Sequence, residues 1–285
     1  MKIALLTCKD LPNLTLSDQL LIPELAKYNH QATAVIWDDD QINWNDFDLL
    51  IFRNTWDYFE KQTQFDNWLQ QIEKAKIKTL NALAVINQNK HKFYLQDLQQ
   101  KGIAIIPTVF IPKTNQLDLQ QIVPKHWKKA VIKPAYSAGS YLTKVFDIQD
   151  IDPINQEYQP IAAQKDLLLQ EFMPEIQTEG ETSFVFFDKQ FSHAVNKKPV
   201  AGDFRIQSQF GGQYSLAQPS KMLIEKAQKV VDSFDEDLLY ARVDGIILNN
   251  ELFLMEIECL EPDLYFSLKP GSTEVFVKAI LKLID

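Results

Sequence analysis

The acidic residues near the carboxyl end of the chain have the types and spacing of a divalent cation site. Glu256 and Glu258 are two positions apart, so on a strand both side chains point to the same face. Asp244 lies on the preceding predicted strand, before a turn near Asn249 and Asn250. Carboxylate oxygens are the ligands that Mg²⁺ prefers. The hairpin therefore predicts a magnesium site, with a solvated acidic edge strand as the alternative.

The length of the hairpin turn decides whether Asp244 joins the two glutamates. A two-residue turn would put Asp244 on the opposite face, because side chains alternate along a strand. A three-residue turn over 249–251 would pair Asp244 with Glu256 and Arg242 with Glu258. We favour the three-residue turn, which also leaves an apolar reverse face. That face consists of Val243, Ile247, Phe253, Met255 and Ile257.

A second group of residues could bind phosphate. Lys133 lies in the apolar strand pattern 131–134, where a buried ammonium needs an anion nearby, although a lysine at a strand edge can extend its charge into water. The turn from Ser137 to Ser140 offers hydroxyls and backbone N–H groups that could cradle a phosphate. It holds one glycine, Gly139, and so matches no dinucleotide or P-loop fingerprint.

Three further features are weaker when taken alone. Residues 170–173 end a predicted strand before a proline and could present backbone groups to an adenine edge, with Glu181 in reach of a ribose. An ordinary exit from a strand explains them equally well. Arg205 lies between glycines, and arginine grips phosphate or carboxylate with two hydrogen bonds. For a lone arginine we favour a surface ion pair.

Composition bounds the class of protein. The 285 residues predict roughly two domains. With 46% hydrophobic and 24% charged residues the chain is expected to fold. The net charge of −9 disfavours binding to nucleic acid. The cysteines Cys8 and Cys259 lack the spacing of a disulfide framework, and the apolar stretch Ile3 to Leu6 is too short for a signal peptide or membrane span. We therefore expect a cytoplasmic protein without a membrane partner.

Hydrophobic periodicity supplies the elements that must position these residues. A βαβ pattern opens the chain, and predicted antiparallel hairpins follow, so the fold class is α/β and α+β. The predicted strands are 2–8, 32–37, 48–53, 79–81, 103–111, 129–135, 143–148, 167–172, two strands within 182–197, 240–248 and 252–258. The predicted helices lie between the first two strands and at 61–75, 89–100, 221–234 and 272–284.

In this order the segments resemble the ATP-grasp superfamily, in its glutathione-synthetase-like branch that includes the D-cycloserine-forming cyclo-ligases. The stretches that carry the resemblance are RNTWDY at 53–58, NKHKFYL at 89–95, GETSFVFFD at 180–188 and FSHAV at 191–195. The resemblance implies an ATP-grasp fold with an N-terminal βαβ pre-ATP domain at 1–82 and an ATP-grasp domain at 83–285. The latter would comprise a small lid subdomain at about 107–172 and a C-terminal subdomain at about 173–285.

The resemblance also implies roles for single residues. Lys92 and Lys133 match the phosphate lysines, and Arg205 matches the catalytic arginine that stabilises the transferring phosphoryl group. Glu181 takes the place of the ribose ligand. The phosphate loop corresponds to Ser137, Gly139 and Ser140, the adenine hinge to Gln170, Glu171, Phe172 and Met173, and the metal ligands to Asp244, Glu256 and Glu258.

The implied activity is that of an ATP- and Mg²⁺- or Mn²⁺-dependent ligase that phosphorylates a carboxylate, which an amine then attacks. A small amino-acid-like molecule could supply both groups and form a ring, or two molecules could be joined. Lys9, Arg53 and Asp57 are candidates to orient the substrate, and the enzyme would be a monomer or homodimer. Glutathione synthetases carry asparagine in place of Glu258, arginine in place of Ser183 and a loop richer in glycine than 137–140. The missing arginine and the changed loop argue against their substrates, whereas the extra carboxylate should still bind Mg²⁺.

Two other classes of function remain open from the sequence. A nucleotide-binding regulatory protein without turnover would bind ATP and release no ADP, and a small-ligand binding protein would not respond to ATP. A peptide ligase of the glutathione-synthetase type is a third alternative, within the ligase class.

Overall fold

The computed structural model describes residues 1–200 and 211–284. Its strands are β1 (Lys2–Thr7), β2 (Gln31–Ile36), β3 (Leu49–Asn54), β4 (Lys78–Leu80), β5 (Thr108–Ile111), β6 (Lys129–Pro134), β7 (Lys144–Asp147), β8 (Leu167–Glu171), β9 (Glu181–Phe187), β10 (Gln190–Lys198), β11 (Gln213–Ala217), β12 (Tyr240–Leu248) and β13 (Glu251–Glu258). Its helices are α1 (Leu21–Ala26), α2 (Gln62–Ala75), α3 (Leu83–Asn89), α4 (Tyr94–Gln100), α5 (Leu119–Ile122), α6 (Ile151–Ala162), α7 (Glu175–Thr178), α8 (Lys221–Asp232) and α9 (Ser272–Ile284). In these ranges no helix has the length and apolarity needed to cross a membrane.

The first sheet has the order β2-β1-β3-β4 and is parallel throughout. Every residue of β3 is buried, as its continuous apolar pattern predicts for a strand covered on both faces. Helix α2 covers one face with four buried side chains, as its spacing predicts. These four are Phe65, Trp68, Leu69 and Ile72. The βαβ beginning of the chain is confirmed.

The second sheet, of order β5-β8-β6-β7, is antiparallel and carries the predicted phosphate lysine and hinge. The predicted strand over 103–111 is too long, since β5 begins at Thr108. Pro107 stands just before it and has no N–H to donate to a ladder. Ile105 instead makes an isolated bridge to Leu254, which ties the segment to the third sheet.

The third sheet has the antiparallel order β11-β10-β9-β12-β13. Strand β9 lies at its centre, and all seven of its residues are buried, in agreement with the predicted burial on both faces. One parallel sheet and two antiparallel sheets confirm the predicted α/β and α+β class. The sheets follow the chain in the order of the predicted domains, whose boundaries stay predictions.

The last hairpin corrects the predicted turn but keeps the predicted pairing of the acids. Leu248 pairs with Glu251, so the turn has two residues, Asn249 and Asn250, both with positive φ. The register then shifts by one between Gly245 and Asp244, because Met255 is an extra residue on β13. Beyond this bulge Asp244 pairs with Glu256 and Arg242 with Glu258.

The bulge also changes which side chains form the apolar reverse face. Leu252 and Leu254 are buried there with Val243 and Ile257. The prediction that placed Phe253 and Met255 on this face was wrong, since both pack in another cluster together with Ile246. The extra residue inverts the alternation of side chains before it, and this brings Met255 to the cavity described below.

The predicted helix over 89–100 begins too early, since α3 ends at Asn89, a break follows at 90–93, and α4 covers only the second part of the prediction. Contacts to the second sheet hold the break. The Lys92 N–H donates to the Ala135 carbonyl at 2.8 Å, and a His91 ring nitrogen lies 3.0 Å from an Asp166 carboxylate oxygen. Tertiary contacts therefore override the helical spacing at this point and fix the backbone of Lys92.

Candidate active site

A cavity of about 510 Å³ lies among the three sheets. This volume is within the range of roughly 300 to 1,000 Å³ that is usual for sites of small molecules. The first sheet contributes the loop after β3, the second sheet β6, β8 and the turn after β6, and the third sheet β12, β13 and the loop after β13. The lining residues predicted from sequence are Lys92, Lys133, Ser137, Gly139, Ser140, Gln170, Glu171, Phe172, Met173, Glu181, Glu256 and Glu258.

The three predicted metal ligands lie together, and two of them, Glu256 and Glu258, line this cavity. Asp244, Glu256 and Glu258 each have a carboxylate oxygen within 4.8 Å of the others. Asp244 is fully buried, and the two glutamate side chains are each 25% exposed. The bulge at Met255 produces this arrangement, because it restores the register that a two-residue turn alone would lose.

Cationic side chains balance the negative charge of the three acids. Arg242 binds Asp244 at 2.7 Å and Glu258 at 2.6 Å through the same guanidinium nitrogen. The Lys92 ammonium lies 3.1 Å from Glu256 and also donates to the Ser137 carbonyl at 2.9 Å. These contacts join the acids on β13 to the predicted phosphate turn.

The surroundings shift the pKa values of the two glutamates in opposite directions. Burial alone would raise the pKa of Glu256, but the ammonium groups of Lys92 and Lys133 outweigh it and hold that pKa well below its usual range. Burial raises the pKa of Glu258 well above its usual range, and Arg242 offsets this only in part. Glu256 is therefore the firmly ionised member of the pair.

Among the described residues of the site, Lys133 is a cation without a counter-ion at contact distance. In the ranges 1–200 and 211–284 its ammonium makes no hydrogen bond or ion pair. Burial lowers its pKa, and the charge of Glu256 opposes this shift. Lysine in such surroundings binds an anion strongly, which agrees with a phosphate in the cavity.

The predicted phosphate turn follows β6 directly. Gly139 and Ser140 both have positive φ, and the Ser137 hydroxyl donates to the Pro134 carbonyl at 2.9 Å. The next residue, Tyr141, packs its ring 5.1 Å from the ring of Phe59 in the loop after β3. The turn is thus in contact with the first sheet across the cavity.

The predicted adenine hinge lies at the end of β8 and faces an apolar wall. The Gln170 amide is buried and donates to the Thr108 hydroxyl at 3.0 Å, so that side chain serves the sheet. The Phe172 N–H is taken by the Lys129 carbonyl at 3.0 Å. The wall around the hinge is apolar and consists of Ile106, Phe172, Met173, Ile176, Ile246 and Met255.

Glu181, the predicted ribose ligand, lies at the start of β9 and forms an ion pair with Lys197 of β10. Burial raises the pKa of Glu181 to about 7, and Lys197 opposes the shift. Gly180 precedes it with a φ of +82°, and a Cβ there would lie 2.5 Å from the Lys197 carbonyl oxygen. Only glycine fits this approach of the two strands.

The predicted substrate residues lie outside the lining of the cavity. Arg53 has no exposed surface and pairs with Asp18 at 2.8 Å, so the expectation that it contacts substrate is corrected. Lys9 lies 3.4 Å from Asp38. Asp57 accepts hydrogen bonds from Trp37 and Lys61. Arg205 lies outside the described residues.

Sequence reasoning missed Lys197 and Glu261 as cavity residues, and it did not assign a role in the site to Arg242. Arg242 was recognised only as the partner of Glu258 in the hairpin. Lys197 pairs with Glu181 through a second bulge at Ser192, which no pattern of residues reveals. Glu261 lies in the loop after β13. Its position three residues after Glu258 was the only feature of the sequence that could have indicated a place near the acidic trio.

Comparisons with known proteins agree with this geometry. Residues 3–81 match the family model of the D-cycloserine synthetase DcsG N-terminal domain. The cycloserine biosynthesis protein DcsG of Streptomyces lavendulae is 25% identical over 263 residues, with 87% of each chain covered. The crystal structure of D-cycloserine synthetase DcsG is similar with a TM-score of 0.88 at 19% identity, with both chains fully covered.

A solved structure of another ligase has the same fold. D-alanine–D-alanine ligase from Bacillus anthracis, complexed with ATP, is similar with a TM-score of 0.69 at 15% identity, over 99% of this chain and 96% of the other. The three sheets, the cavity among them and these similarities agree. The chain therefore has the fold of the ATP-grasp ligases, and its residues 3–81 are similar to the D-cycloserine synthetase N-terminal domain.

Proposed function

We propose that this ATP-grasp ligase uses ATP to activate the carboxylate of a small amino-acid-like molecule and then closes a C–N bond within that molecule. One observation carries the proposal. Three carboxylates, the ammonium groups of Lys92 and Lys133 and the turn at 137–140 converge on one cavity. Cations and metal ligands without a histidine or cysteine nucleophile suit phosphoryl transfer, in which positioning and charge stabilisation do most of the work.

The chemistry needs two steps. A carboxylate oxygen of the substrate attacks the γ-phosphorus of ATP, ADP leaves, and an acyl phosphate forms. The substrate nitrogen then attacks the acyl carbon and gives up a proton to solvent, the C–N bond forms, and phosphate leaves with the electron pair of the C–O bond. Lys92 and Lys133 stabilise negative charge on the transferring group, and we assign the same role to Arg205 on its sequence context alone.

The acidic trio fits a hard divalent cation. Its oxygen donors lie near one another, and they come from side chains that the sheet fixes in place. We infer that Glu256, Glu258 and Asp244 hold Mg²⁺ or Mn²⁺. When bound, such an ion would neutralise negative charge on the phosphate groups of ATP. Arg242, which now binds Asp244 and Glu258, orients those two carboxylates.

The remaining walls suit the nucleoside of ATP. The apolar wall around Phe172 and Met173 has the character of an adenine slot, with backbone groups at the end of β8 beside it. Glu181 lies at the start of β9, lines the same cavity and is assigned to the ribose hydroxyls. Its ion pair with Lys197 holds the carboxylate in place.

The intramolecular reaction is favoured by similarity along the whole chain. The D-cycloserine synthetase structure matches from end to end, and the first domain, which would cover the substrate, matches a family model of that synthetase. D-cycloserine is a cyclic amide, so its synthesis is the ring-forming version of this reaction.

Release of ADP tests the proposal. The purified chain is incubated with ATP, with and without Mg²⁺, against a panel of D- and L-amino acids, dipeptides, hydroxy-amino acids and O-ureidoserine, and products are identified by mass spectrometry. We expect Mg²⁺-dependent ADP release and loss of one water from a single amino-acid-like substrate. ATP binding without release under any condition would instead favour a regulatory protein.

Two variants test the metal assignment. Glu256→Ala and Glu258→Ala should each lower Mg²⁺-dependent turnover by at least about 100-fold, a loss typical of a missing electrostatic group in phosphoryl transfer, while circular dichroism shows a folded protein. Glu236→Ala, an exposed acid after α8, is the matched control and should keep full turnover. Wild-type turnover in both test variants would reject the assignment.

A further inference from the structure

The charged groups of the cavity are paired unevenly. The ion pairs among the described residues are Lys92 with Glu256, Lys197 with Glu181, and Arg242 with both Asp244 and Glu258. Lys133 and Glu261 take part in none of these pairs. Asp263, which also lines the cavity, accepts a hydrogen bond from the Tyr265 N–H at 2.8 Å. Among the described residues, the cavity therefore offers an ammonium, that of Lys133, and a buried carboxylate, that of Glu261, without an ion pair at contact distance.

Glu261 occupies the side of the cavity formed by the first domain. It is 7% exposed, and no side chain in the described ranges hydrogen-bonds to its carboxylate. Trp56 and Tyr58, from the loop after β3, line the cavity beside it. The negative charge of Glu261 contributes to the raised pKa of Tyr58, second after burial, which shows that the two groups are close.

The backbone around Glu261 is held firmly. The Trp56 indole N–H donates to the Glu261 carbonyl at 2.9 Å, and Arg53 donates to the next carbonyl, that of Pro262, at 2.7 Å. The Leu260 carbonyl accepts from the Tyr240 hydroxyl at 2.8 Å. Three successive carbonyls are thus fixed, so the carboxylate is presented to the cavity from a rigid segment.

A buried carboxylate between aromatic side chains is the chemistry that recognises an ammonium group. The carboxylate supplies a charge-assisted hydrogen bond, and aromatic rings such as those of Trp56 and Tyr58, which line the same cavity, attract cations. Burial raises the pKa of Glu261 and Lys92 offsets this in part, so a second cation placed there would further favour the ionised form. An anionic ligand at this point would meet repulsion instead.

We propose that Glu261, flanked by Trp56 and Tyr58, binds the α-ammonium group of the substrate and so selects α-amino acids over acids that lack this group. The proposal rests on the proposed function, since it places the substrate between the first domain and the phosphate turn. Lys133 then binds the phosphate, and Glu261, which carries the opposite charge, binds the amine in the same cavity. No bond to the α-nitrogen forms or breaks at Glu261.

Calorimetric binding tests this without turnover. O-ureido-D-serine and 3-(ureidooxy)propanoate, the same molecule without its α-amino group, are titrated into protein saturated with Mg²⁺ and a non-hydrolysable ATP analogue. We expect the wild type to bind the amino acid about 10- to 100-fold more tightly, the range of a hydrogen bond to a charged group. Glu261→Gln should remove most of this preference, and Glu236→Gln should retain it.

Each outcome has a definite meaning. Equal preference in the wild type and Glu261→Gln, or no binding of either compound by the wild type, would overturn the ammonium site. Binding of the nucleotide analogue should stay within about 2-fold in all three proteins, because a general loss of structure would weaken it. ADP release is measured in parallel. A preference that depends on Glu261 without ADP release would count against the ligase reaction and leave the ammonium site standing.

Discussion

Glu256 and Glu258 are neighbours on one strand, yet their environments give them opposite effects on stability. Glu256 is held ionised by Lys92 and Lys133, whereas burial raises the pKa of Glu258. A carboxylate whose ionised form is stabilised in the folded state increases the free energy of unfolding. A carboxylate whose ionised form is destabilised in the folded state does not. Both residues are expected to be needed for metal binding, so function and stability separate at Glu258.

We expect Glu256→Gln to lower the free energy of unfolding by about 1 to 3 kcal/mol at pH 7.5, because Lys92 loses its charged partner. Glu258→Gln should leave it unchanged or raise it, since glutamine keeps an oxygen for Arg242 and removes a buried charge. Urea denaturation without nucleotide measures both values. Equal losses in the two variants would contradict this view of the site.

His193 is a buried titrating residue away from the acidic trio. Its Nε2 donates to the Leu264 carbonyl at 3.1 Å, while Nδ1 accepts from the Ser192 hydroxyl at 3.0 Å. Burial lowers the pKa of His193 to about 4. In the unfolded chain it takes up a proton below about pH 6.5, so between pH 6.5 and 4 the unfolded state binds more protons and stability falls as the pH falls.

His193 should therefore account for roughly 2 kcal/mol of lost stability at pH 5 relative to pH 7.5. In His193→Gln the free energy of unfolding, measured by urea denaturation, should differ less between the two pH values than in the wild type. The variant should also be less stable than the wild type at pH 7.5. His126→Gln, at an exposed position, should keep the wild-type difference. An unchanged difference in His193→Gln would show that the ring does not titrate as its burial requires.

At the scale of elements, two hairpins share one construction. Each has a two-residue turn with positive φ at both positions, Asp188 with Lys189 and Asn249 with Asn250. Each then has one extra residue, Ser192 on β10 and Met255 on β13. The first bulge pairs Lys197 with Glu181, and the second pairs the acids of the trio. The bulges therefore set the faces on which the charged groups lie.

Gly245 stands opposite the second bulge and permits it. A Cβ at this position would lie 2.6 Å from the Phe253 carbonyl oxygen and 2.7 Å from a Leu252 methyl carbon. We expect Gly245→Ala to lower the free energy of unfolding by about 1 to 3 kcal/mol and Mg²⁺-dependent turnover at least about 10-fold, because relief of the overlap shifts β13.

Gly102→Ala is the matched control for that variant. Gly102 has a φ of +82° and no neighbouring atom within 4 Å of an added Cβ, so the substitution should cost about 1 kcal/mol of stability through backbone strain and leave turnover unchanged. Denaturation and ADP release are measured on both proteins. Full turnover in Gly245→Ala would show that the bulge does not position the metal ligands.

Local pattern predicted most elements but could not predict their registers. Apolar runs located β1, β3 and β9, and the alternation of residues located both hairpins. The bulges at Ser192 and Met255 carry no sequence signature, since neither residue requires an unusual backbone. The break before α4 depends on Ala135 and Asp166, which are distant in sequence. The acidic trio and Lys133 followed from residue type and Lys92 from the family resemblance, whereas Lys197 and Glu261 became visible only in the tertiary structure.

At the scale of the whole molecule, Arg53 links the first domain to the rest of the chain. It pairs with Asp18 within that domain and donates to the Pro262 carbonyl at 2.7 Å. Its charge suggested a substrate contact because the sequence does not show that Asp18, 35 positions earlier, lies beside it. Arg53 is thus a structural residue that supports the segment carrying Glu261.

We expect Arg53→Lys to lower the free energy of unfolding by about 1 to 3 kcal/mol, because lysine keeps the charge but lacks the fork that reaches Asp18 and Pro262 together. Affinity for the ATP analogue should change by less than about 2-fold, since Arg53 does not line the cavity. Calorimetry and urea denaturation check the two statements. A large loss of nucleotide affinity with unchanged stability would restore Arg53 to the binding site.

The first domain also depends on the remainder of the chain for its core. One face of its sheet packs on α2, but the other face packs against α9 and the third sheet. Ile3 and Ile51 share one apolar cluster with Tyr240, Phe276 and Ile280. We propose 1–82 as a unit of the fold that does not fold alone, because separation would expose that face of the sheet to water.

A fragment of residues 1–82 should therefore show no cooperative urea transition, while the full chain should unfold in a single one. The polar contacts point the same way, since the Asn81 amide donates to the carbonyls of Tyr240 and Cys259, both at 2.8 Å, and would lose both partners. Fluorescence and circular dichroism follow the two proteins side by side. A sigmoidal transition of the fragment, or two separate transitions of the full chain, would show that the first domain is autonomous and would leave Glu261 without a rigid support.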